Sequence, residues 1–132
     1  MVVDTSALVA IARDEPERGL FIDKLAEAPG AVIASATWTE SQIVVFSRSG
    51  DRGLAVLREV MESADIQVVP VTIELAGLAF IAFRRFGKGR HVAGLNFGDC
   101  FSYALAKDRG EPLLFKGSDF SRTDISAAAP PR

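Results

Sequence analysis

The chain opens with residues 1–10, MVVDTSALVA, in which a short apolar run ends at Asp4 and passes directly into a helical pattern. The predicted order is a strand, a polar turn and a helix. The same order recurs where residues 31–34 precede a helical stretch, and where residues 66–71 precede Thr72. Strands that alternate with helices indicate crossover connections. We therefore predict an α/β fold, with a mostly parallel central sheet and helices on both of its faces.

Two neighbouring elements have strong patterns of their own. Residues 66–71 form a continuous, largely β-branched run, which is typical of a parallel strand covered on both faces. Thr72 then caps a predicted helix from Ile73 to about Phe86. This helix is apolar on several sides, which indicates neighbours on more than one face, and one of them could be another copy of the chain. An earlier helix is predicted to end before Gly50.

Four carboxylates stand where an apolar segment ends or a helix begins, namely Asp4, Glu40, Asp99 and Asp119. Taken singly, each has an ordinary explanation, because Asp caps helices and favours turns, and Thr37-x-x-Glu40 has the spacing of a capping box. Strand-to-helix turns, however, all lie at the carboxyl edge of a parallel sheet. Gathered at that edge, the four side chains would form a negative cup that must bind a divalent cation. Oxygen ligands alone favour Mg²⁺ or Mn²⁺.

Three stretches carry a resemblance to a known family: MVVDTSAL at 1–8, GLNFGDCFSYALAK at 94–107 and PLLFKGSDF at 112–120. They resemble the PIN domain, and their residue pattern looks like that of the toxin nucleases of VapBC toxin–antitoxin pairs. The resemblance implies a PIN-like three-layer α/β/α sandwich that acts as a metal-dependent endoribonuclease on RNA. It also implies a homodimer and a small VapB-like antitoxin that inhibits the nuclease by docking near the cup.

The resemblance also implies roles for the acids. Asp4 and Asp99 would hold the principal ion, Glu40 would position or activate the attacking water, and Asp119 would complete the cup. One or two ions would activate that water. Ser6 could cap the first helix or hydrogen-bond Asp4 as an orienting group, and the sequence leaves both open.

The last acidic position departs from the family pattern. Many relatives have Thr where this chain has Phe115, and Asp or Asn where it has Gly117. Asp119 could therefore be a weaker ligand or a group that positions water.

A basic cluster follows a stretch without acidic residues. Residues 75–98 contain no Asp or Glu, and the end of the stretch carries the candidates for RNA binding, Arg84, Lys88 and Arg90. Basic side chains next to a cluster of acids are suited to binding a polyanion such as RNA while metal ions bind to the acids. The alternative is a solvated helix end, where cations are favoured by the helix dipole.

Composition limits the remaining possibilities. With 132 residues, we predict one domain over residues 1–132, with residues 127–132 as a flexible tail. The single cysteine, Cys100, excludes an internal disulfide and a cysteine-based zinc cluster, and it suits a reducing cytosol. No signal-peptide pattern is visible, so we expect a cytoplasmic protein. The apolar stretch over 66–83 contains Pro70 and Glu74, which indicates a strand and a helix rather than a membrane span.

Two other classes of protein remain open. A phosphatase or phosphotransferase with an aspartate nucleophile also places that residue after its first strand, but it usually shows Asp-x-Asp where this chain has Asp4-Thr5-Ser6. A non-catalytic, metal-dependent binding module could present the same acidic cup. An aspartyl-phosphate on Asp4 would support the first class, and metal binding without any activity would support the second.

Overall fold

The computed structural model describes residues 1–130, and strands and helices alternate along them. The strands are β1 (Val2–Val3), β2 (Val32–Ala34), β3 (Gln67–Val69) and β4 (Leu113–Leu114). The helices are α1 (Thr5–Ala12), α2 (Arg18–Glu27), α3 (Ser35–Ser63), α4 (Ile73–Phe86) and α5 (Phe97–Arg109). A short 3-10 helix, Phe120–Arg122, follows β4.

The four strands form one parallel sheet in the order β3-β2-β1-β4. Because side chains alternate across a strand, Val2 and Leu113 join one apolar core with α4 and α5. Val3 and Leu114 join a second core, with α1 and α2, on the other face. The predicted three-layer α/β/α fold is confirmed, and β1 lies inside the sheet with Asp4 immediately after it.

Strand β3 differs from the prediction that it would be covered on both faces. It is the edge strand of the sheet, paired only with β2. Its Gln67 is exposed, and Val68 is 43% exposed. A β-branched run favours extended backbone wherever the strand lies, so the sequence pattern could not distinguish an edge strand from a central one.

Helix α3 contains the break that the sequence predicts at Gly50. This residue has φ 60° and ψ −152°, a conformation that glycine adopts easily and that interrupts the helix. The predicted capping box between Thr37 and Glu40 is wrong. The helix begins earlier, at Ser35, and the residue before it, Ala34, makes no side-chain cap. The Glu40 side chain is therefore not used in capping.

Helix α4 has the predicted bounds and the predicted cap, in which the Thr72 hydroxyl accepts a hydrogen bond from the Leu75 N–H at 3.1 Å. One side of the helix packs into the core, while Phe80 and Ile81 are exposed. No helix within residues 1–130 combines the length and the apolar character needed to cross a membrane.

The predicted flexible tail over 127–132 is wrong for its first residues. Ala127 forms a parallel bridge with Leu113, and the Ala128 N–H donates to the Leu113 carbonyl at 2.8 Å. Ala129 is buried in the second core. Small apolar side chains allow this segment to pack beside β4, which composition alone does not reveal. Residues 131 and 132 lie outside the described residues.

Candidate active site

Three of the four predicted acids line one pocket of about 460 Å³. Asp4 lies at the end of β1, Glu40 in the second turn of α3, and Asp99 in the first turn of α5. The starts of these helices meet here because the crossovers of a parallel sheet return to one edge. Asp119 does not line the pocket, although its negative charge acts on Asp99.

Asp4 is fixed by hydrogen bonds to both of its carboxylate oxygens and is only 3% exposed. Its Oδ2 accepts from the Ser6 N–H at 3.0 Å and from the Ser6 hydroxyl at 2.7 Å. Its Oδ1 accepts from the Ser102 hydroxyl at 2.5 Å. Asp4 thus caps α1 and is also held rigidly towards the pocket. Of the two roles that the sequence left open for Ser6, the structure has the hydrogen bond to Asp4, while the helix cap is made by Asp4 itself.

Glu40 is positioned by Thr5 on one side and by a glycine on the other. The Thr5 hydroxyl donates to Glu40 Oε1 at 2.7 Å. A Cβ at Gly98 would lie 2.0 Å from Glu40 Oε2, so only glycine leaves room for this carboxylate beside α5. The glycine therefore allows Glu40 to approach the residue that precedes Asp99.

Asp99 takes part in a capping box at the start of α5. The Asn96 side chain accepts from the Asp99 N–H at 2.9 Å, and Asp99 Oδ2 accepts from the Asn96 N–H at 3.0 Å. Burial raises the pKa of Asp99 to about 7, and the charges of Asp4, Glu40 and Asp119 add to the rise. The Asn96 hydrogen bond opposes this rise only in part. The pocket thus holds more negative charge than its own hydrogen bonds compensate.

Asp119 lies at the start of the 3-10 helix and is exposed. Its side chain makes no capping hydrogen bond there. In the segment before it, Phe115 packs against Phe120 with ring centroids 5.2 Å apart.

Comparison with known proteins decides the family. The PIN domain model matches residues 1–126. The chain is 50% identical over 127 residues to a ribonuclease VapC of Mycolicibacterium smegmatis, which covers 96% of this chain and 98% of the relative. It is 45% identical over 131 residues to ribonuclease VapC30 of Mycobacterium tuberculosis strain H37Rv, at 99% and 100% coverage. The chain belongs to the VapC ribonucleases of the PIN-domain family.

Solved structures show the VapC fold at lower sequence identity. A crystal structure of Mycobacterium tuberculosis VapC20, described as a toxin that cleaves the sarcin–ricin loop, superposes with a TM-score of 0.79 at 20% identity. The match covers 98% of both chains. A toxin–antitoxin complex from Klebsiella pneumoniae gives a TM-score of 0.68 at 16% identity, over 93% of this chain and 92% of that chain.

Hydroxyl groups, most of them buried, hold the acids of this VapC-family pocket, and the sequence had indicated such a role only for the half-buried Ser6. Ser102 donates to Asp4 and lies 3.4 Å from the Thr37 hydroxyl. Ser41 donates to Thr5 at 3.1 Å, and Thr5 in turn donates to Glu40. A serine or threonine on a buried helix face could have indicated such a residue, but the sequence does not show to which acid it donates a hydrogen bond.

The cations at the pocket also differ from those singled out in the sequence. Arg48 and Lys116 line it, and the Lys116 N–H donates to the Ser6 hydroxyl at 2.9 Å. The predicted RNA-binding residues are exposed and do not line the pocket; they are Arg84, Lys88 and Arg90.

The donors of the pocket suit a hard divalent cation. Within residues 1–130, no three His, Cys, Asp or Glu side chains form a group that could hold a metal ion as they stand. Mg²⁺ does not require such a group, because it commonly binds through one or two carboxylates and keeps several waters. Asp4 Oδ1 accepts a single hydrogen bond and retains a lone pair. Asp99, whose pKa is raised chiefly by burial and further by the neighbouring carboxylates, is the second donor that could hold the ion.

Proposed function

We propose that this VapC-family protein is a Mg²⁺- or Mn²⁺-dependent endoribonuclease and the toxin of a type II toxin–antitoxin pair, acting in the cytoplasm. The observation that carries the proposal is the meeting of Asp4, Glu40 and Asp99 at one pocket, where burial raises the pKa of Asp99 to about 7. Carboxylates crowded in this way lose much of their repulsion when a cation binds. The relatives named ribonuclease VapC support RNA as the substrate.

Each acid has a distinct part in the proposed reaction. Asp4 and Asp99 would hold the principal ion, which would supply Lewis acidity for the water and for the phosphodiester. Thr5 donates to Glu40 Oε1, so Oε2, which accepts no hydrogen bond within residues 1–130, is the atom assigned to orient the attacking water and accept its proton. Asp119 adds negative charge at a distance and completes the acidic surface.

Removal and return of the metal test this function. Purified protein should cleave labelled single-stranded RNA in Mg²⁺ or Mn²⁺, lose the activity in excess EDTA, and regain it when the metal is restored. Cleavage that persists in EDTA would overturn the metal dependence. A 2′,3′-cyclic phosphate on the product would show that the ribose hydroxyl, rather than water, is the nucleophile.

The toxin role draws support from similar proteins. The VapC20 structure is described as a toxin, and the Klebsiella pneumoniae structure as a toxin–antitoxin complex. We expect a small antitoxin to dock an apolar segment near the pocket and to place a basic side chain among the acids, where it would neutralise the charge that recruits the metal. Expression of the protein alone should arrest growth, and co-expression of the antitoxin should relieve the arrest. A protein that is harmless without an antitoxin would contradict the toxin role.

The proposed assembly is a homodimer. Exposed apolar side chains lie on two helices, with Phe80 and Ile81 on α4 and Ile43 and Phe46 on α3. An apolar groove of about 350 Å³ runs between α4 and α5 beside Phe80. Apolar surfaces of this kind usually mark association.

A further inference from the structure

Two cationic side chains, Arg48 and Lys116, line a pocket that is otherwise dominated by carboxylates. Arg48 comes from α3, and Lys116 from the loop after β4. An RNA strand that reaches the acids must bring its neighbouring phosphates close to the residues that line this pocket. Because the acids repel the phosphates of the RNA, cations that line the pocket should contribute more to RNA binding than cations elsewhere on the surface.

Lys116 is already engaged within the protein. Its Nζ lies 2.8 Å from Glu15 Oε1 and 2.9 Å from Glu17 Oε2. Two carboxylates therefore compensate its single positive charge, and its backbone N–H is bound to Ser6. A phosphate would have to compete with both glutamates, so Lys116 is better suited to holding the loop than to binding substrate.

Arg48 is in the opposite situation. It is exposed, and within residues 1–130 its guanidinium forms no ion pair and no hydrogen bond. Glu40, Val44 and Arg48 line the pocket at intervals of four residues, which places them on one face of α3. Eight residues of helix span about 12 Å, so a long arginine side chain reaches the nucleotides next to the position that Glu40 faces.

We propose that Arg48 binds a phosphate of the RNA next to the one that is cleaved. The assignment rests on the proposed ribonuclease function and names a substrate contact for it. A guanidinium presents paired N–H donors that match two phosphate oxygens, which makes arginine suited to this task. Such a contact reads no base, so it contributes affinity and register without sequence preference.

Binding across a salt series tests the assignment. Fluorescence anisotropy is measured with two labelled single-stranded oligoribonucleotides of unrelated sequence, and every protein carries Asp99→Asn so that no RNA is cleaved. Arg48→Ala is compared with Arg58→Ala, which removes the same charge from an exposed position of α3 that does not line the pocket. Arg48→Lys tests whether a point charge is sufficient.

Arg48→Ala should weaken binding of both RNAs by about tenfold at low salt. The slope of log affinity against log salt should become shallower by about 0.7, the value for one phosphate contact with a single strand. Arg48→Lys should keep the slope, and Arg58→Ala should change neither quantity.

Equal behaviour of Arg48→Ala and Arg58→Ala would overturn the assignment. A loss of affinity for one RNA only, at an unchanged slope, would also overturn it, because that result describes a base contact. If the wild-type protein cleaves RNA while Arg48→Ala binds like the control, the assignment alone fails. If the wild-type protein neither binds nor cleaves RNA, the proposed function fails and the assignment fails with it.

Discussion

At the scale of single residues, the position of the Glu40 carboxylate depends on Gly98. An added Cβ would lie 2.0 Å from Glu40 Oε2 and 2.5 Å from its Cδ, far inside normal contact distances. The atoms that would be displaced are the end of a flexible side chain, not the backbone. A substitution here should therefore move the carboxylate and leave the fold intact.

Gly98→Ala should lower the cleavage rate by about tenfold to a hundredfold, because a small displacement of a reacting group is costly. The free energy of unfolding should change little. Gly19→Ala is the matched control, since nothing lies within 4 Å of a Cβ at that exposed site on α2. Single-turnover cleavage and urea unfolding check both variants. Normal cleavage by Gly98→Ala would show that the position of Glu40 does not matter for the reaction.

Asp99 makes the stability of the metal-free protein depend on pH. Its pKa is raised from 3.8 to about 7, chiefly by burial, so the folded protein binds a proton more tightly than the unfolded chain does. The stability that this proton contributes is fully present below about pH 4 and is lost as the pH rises to about 7. A bound divalent cation should restore the stability that is lost when Asp99 ionises, because the cation favours the ionised carboxylate.

Thermal unfolding in EDTA measures this effect. The melting temperature of the wild-type protein should fall relative to that of Asp99→Asn as the pH rises from about 4 to about 7, and the difference should then level off. Mg²⁺ should raise the melting temperature of the wild type at higher pH more than that of the variant. Parallel curves for the two proteins would contradict the raised pKa of Asp99.

Local relations in the sequence predicted part of the site. Asp4 and Ser6 could be paired from sequence because they are two residues apart at a helix start. Ser102 could not be assigned to Asp4, because the two residues are 98 positions apart and only the packing of α5 joins them. Arg48 was missed for a similar reason, since its place at the pocket depends on how α3 crosses the sheet.

At the scale of elements, Lys116 joins the loop after β4 to the connection between α1 and α2. It bridges Glu15 and Glu17, and within residues 1–130 the buried Glu17 Oε2 has no compensation other than this ion pair. Its backbone N–H also binds Ser6, which holds Asp4. The link therefore keeps two connections together at the edge of the pocket.

Lys116→Met should lower the urea midpoint of unfolding, because it leaves Glu15 and Glu17 facing each other without a cation. Lys24→Met is the control, since it removes only an exposed pair with Glu27, and pairs of that kind contribute little. The RNA-binding salt slope should stay as in the parent protein. Equal midpoints for the two variants would show that the bridge does not stabilise the fold.

The elements themselves were predictable where the signal was local. The start of α4 is marked by Thr72, and its length by the helical spacing of the apolar residues that follow. Gly50 marks the break in α3. The capping box at Thr37 failed because the chain after β2 enters its helix directly, and the position of β3 at the sheet edge depends on the order of all four strands. The spacing of residues along the chain shows neither where α3 begins nor that β3 lies at the edge of the sheet.

At the scale of the whole molecule, the exposed apolar surface of α4 predicts a dimer. Phe80 is 62% exposed and borders the groove between α4 and α5. Phe80→Asp should convert a dimer to a monomer in sedimentation experiments, because it places a charge in a desolvated interface. Ile22→Asp, at an exposed site on the opposite face of the sheet, should leave the dimer intact. A monomeric wild-type protein would contradict the proposed assembly.

The most direct test of a catalytic metal pocket compares single-turnover RNA cleavage by the wild-type protein and by Asp99→Asn, at saturating Mg²⁺ or Mn²⁺. Asn keeps the shape of the side chain and can still accept a hydrogen bond at the start of α5, but it removes the charge that a cation needs. The variant should remain folded by circular dichroism and lose cleavage by at least about a hundredfold. A folded Asp99→Asn protein that cleaves RNA at the wild-type rate would contradict the assignment of the reaction to this pocket.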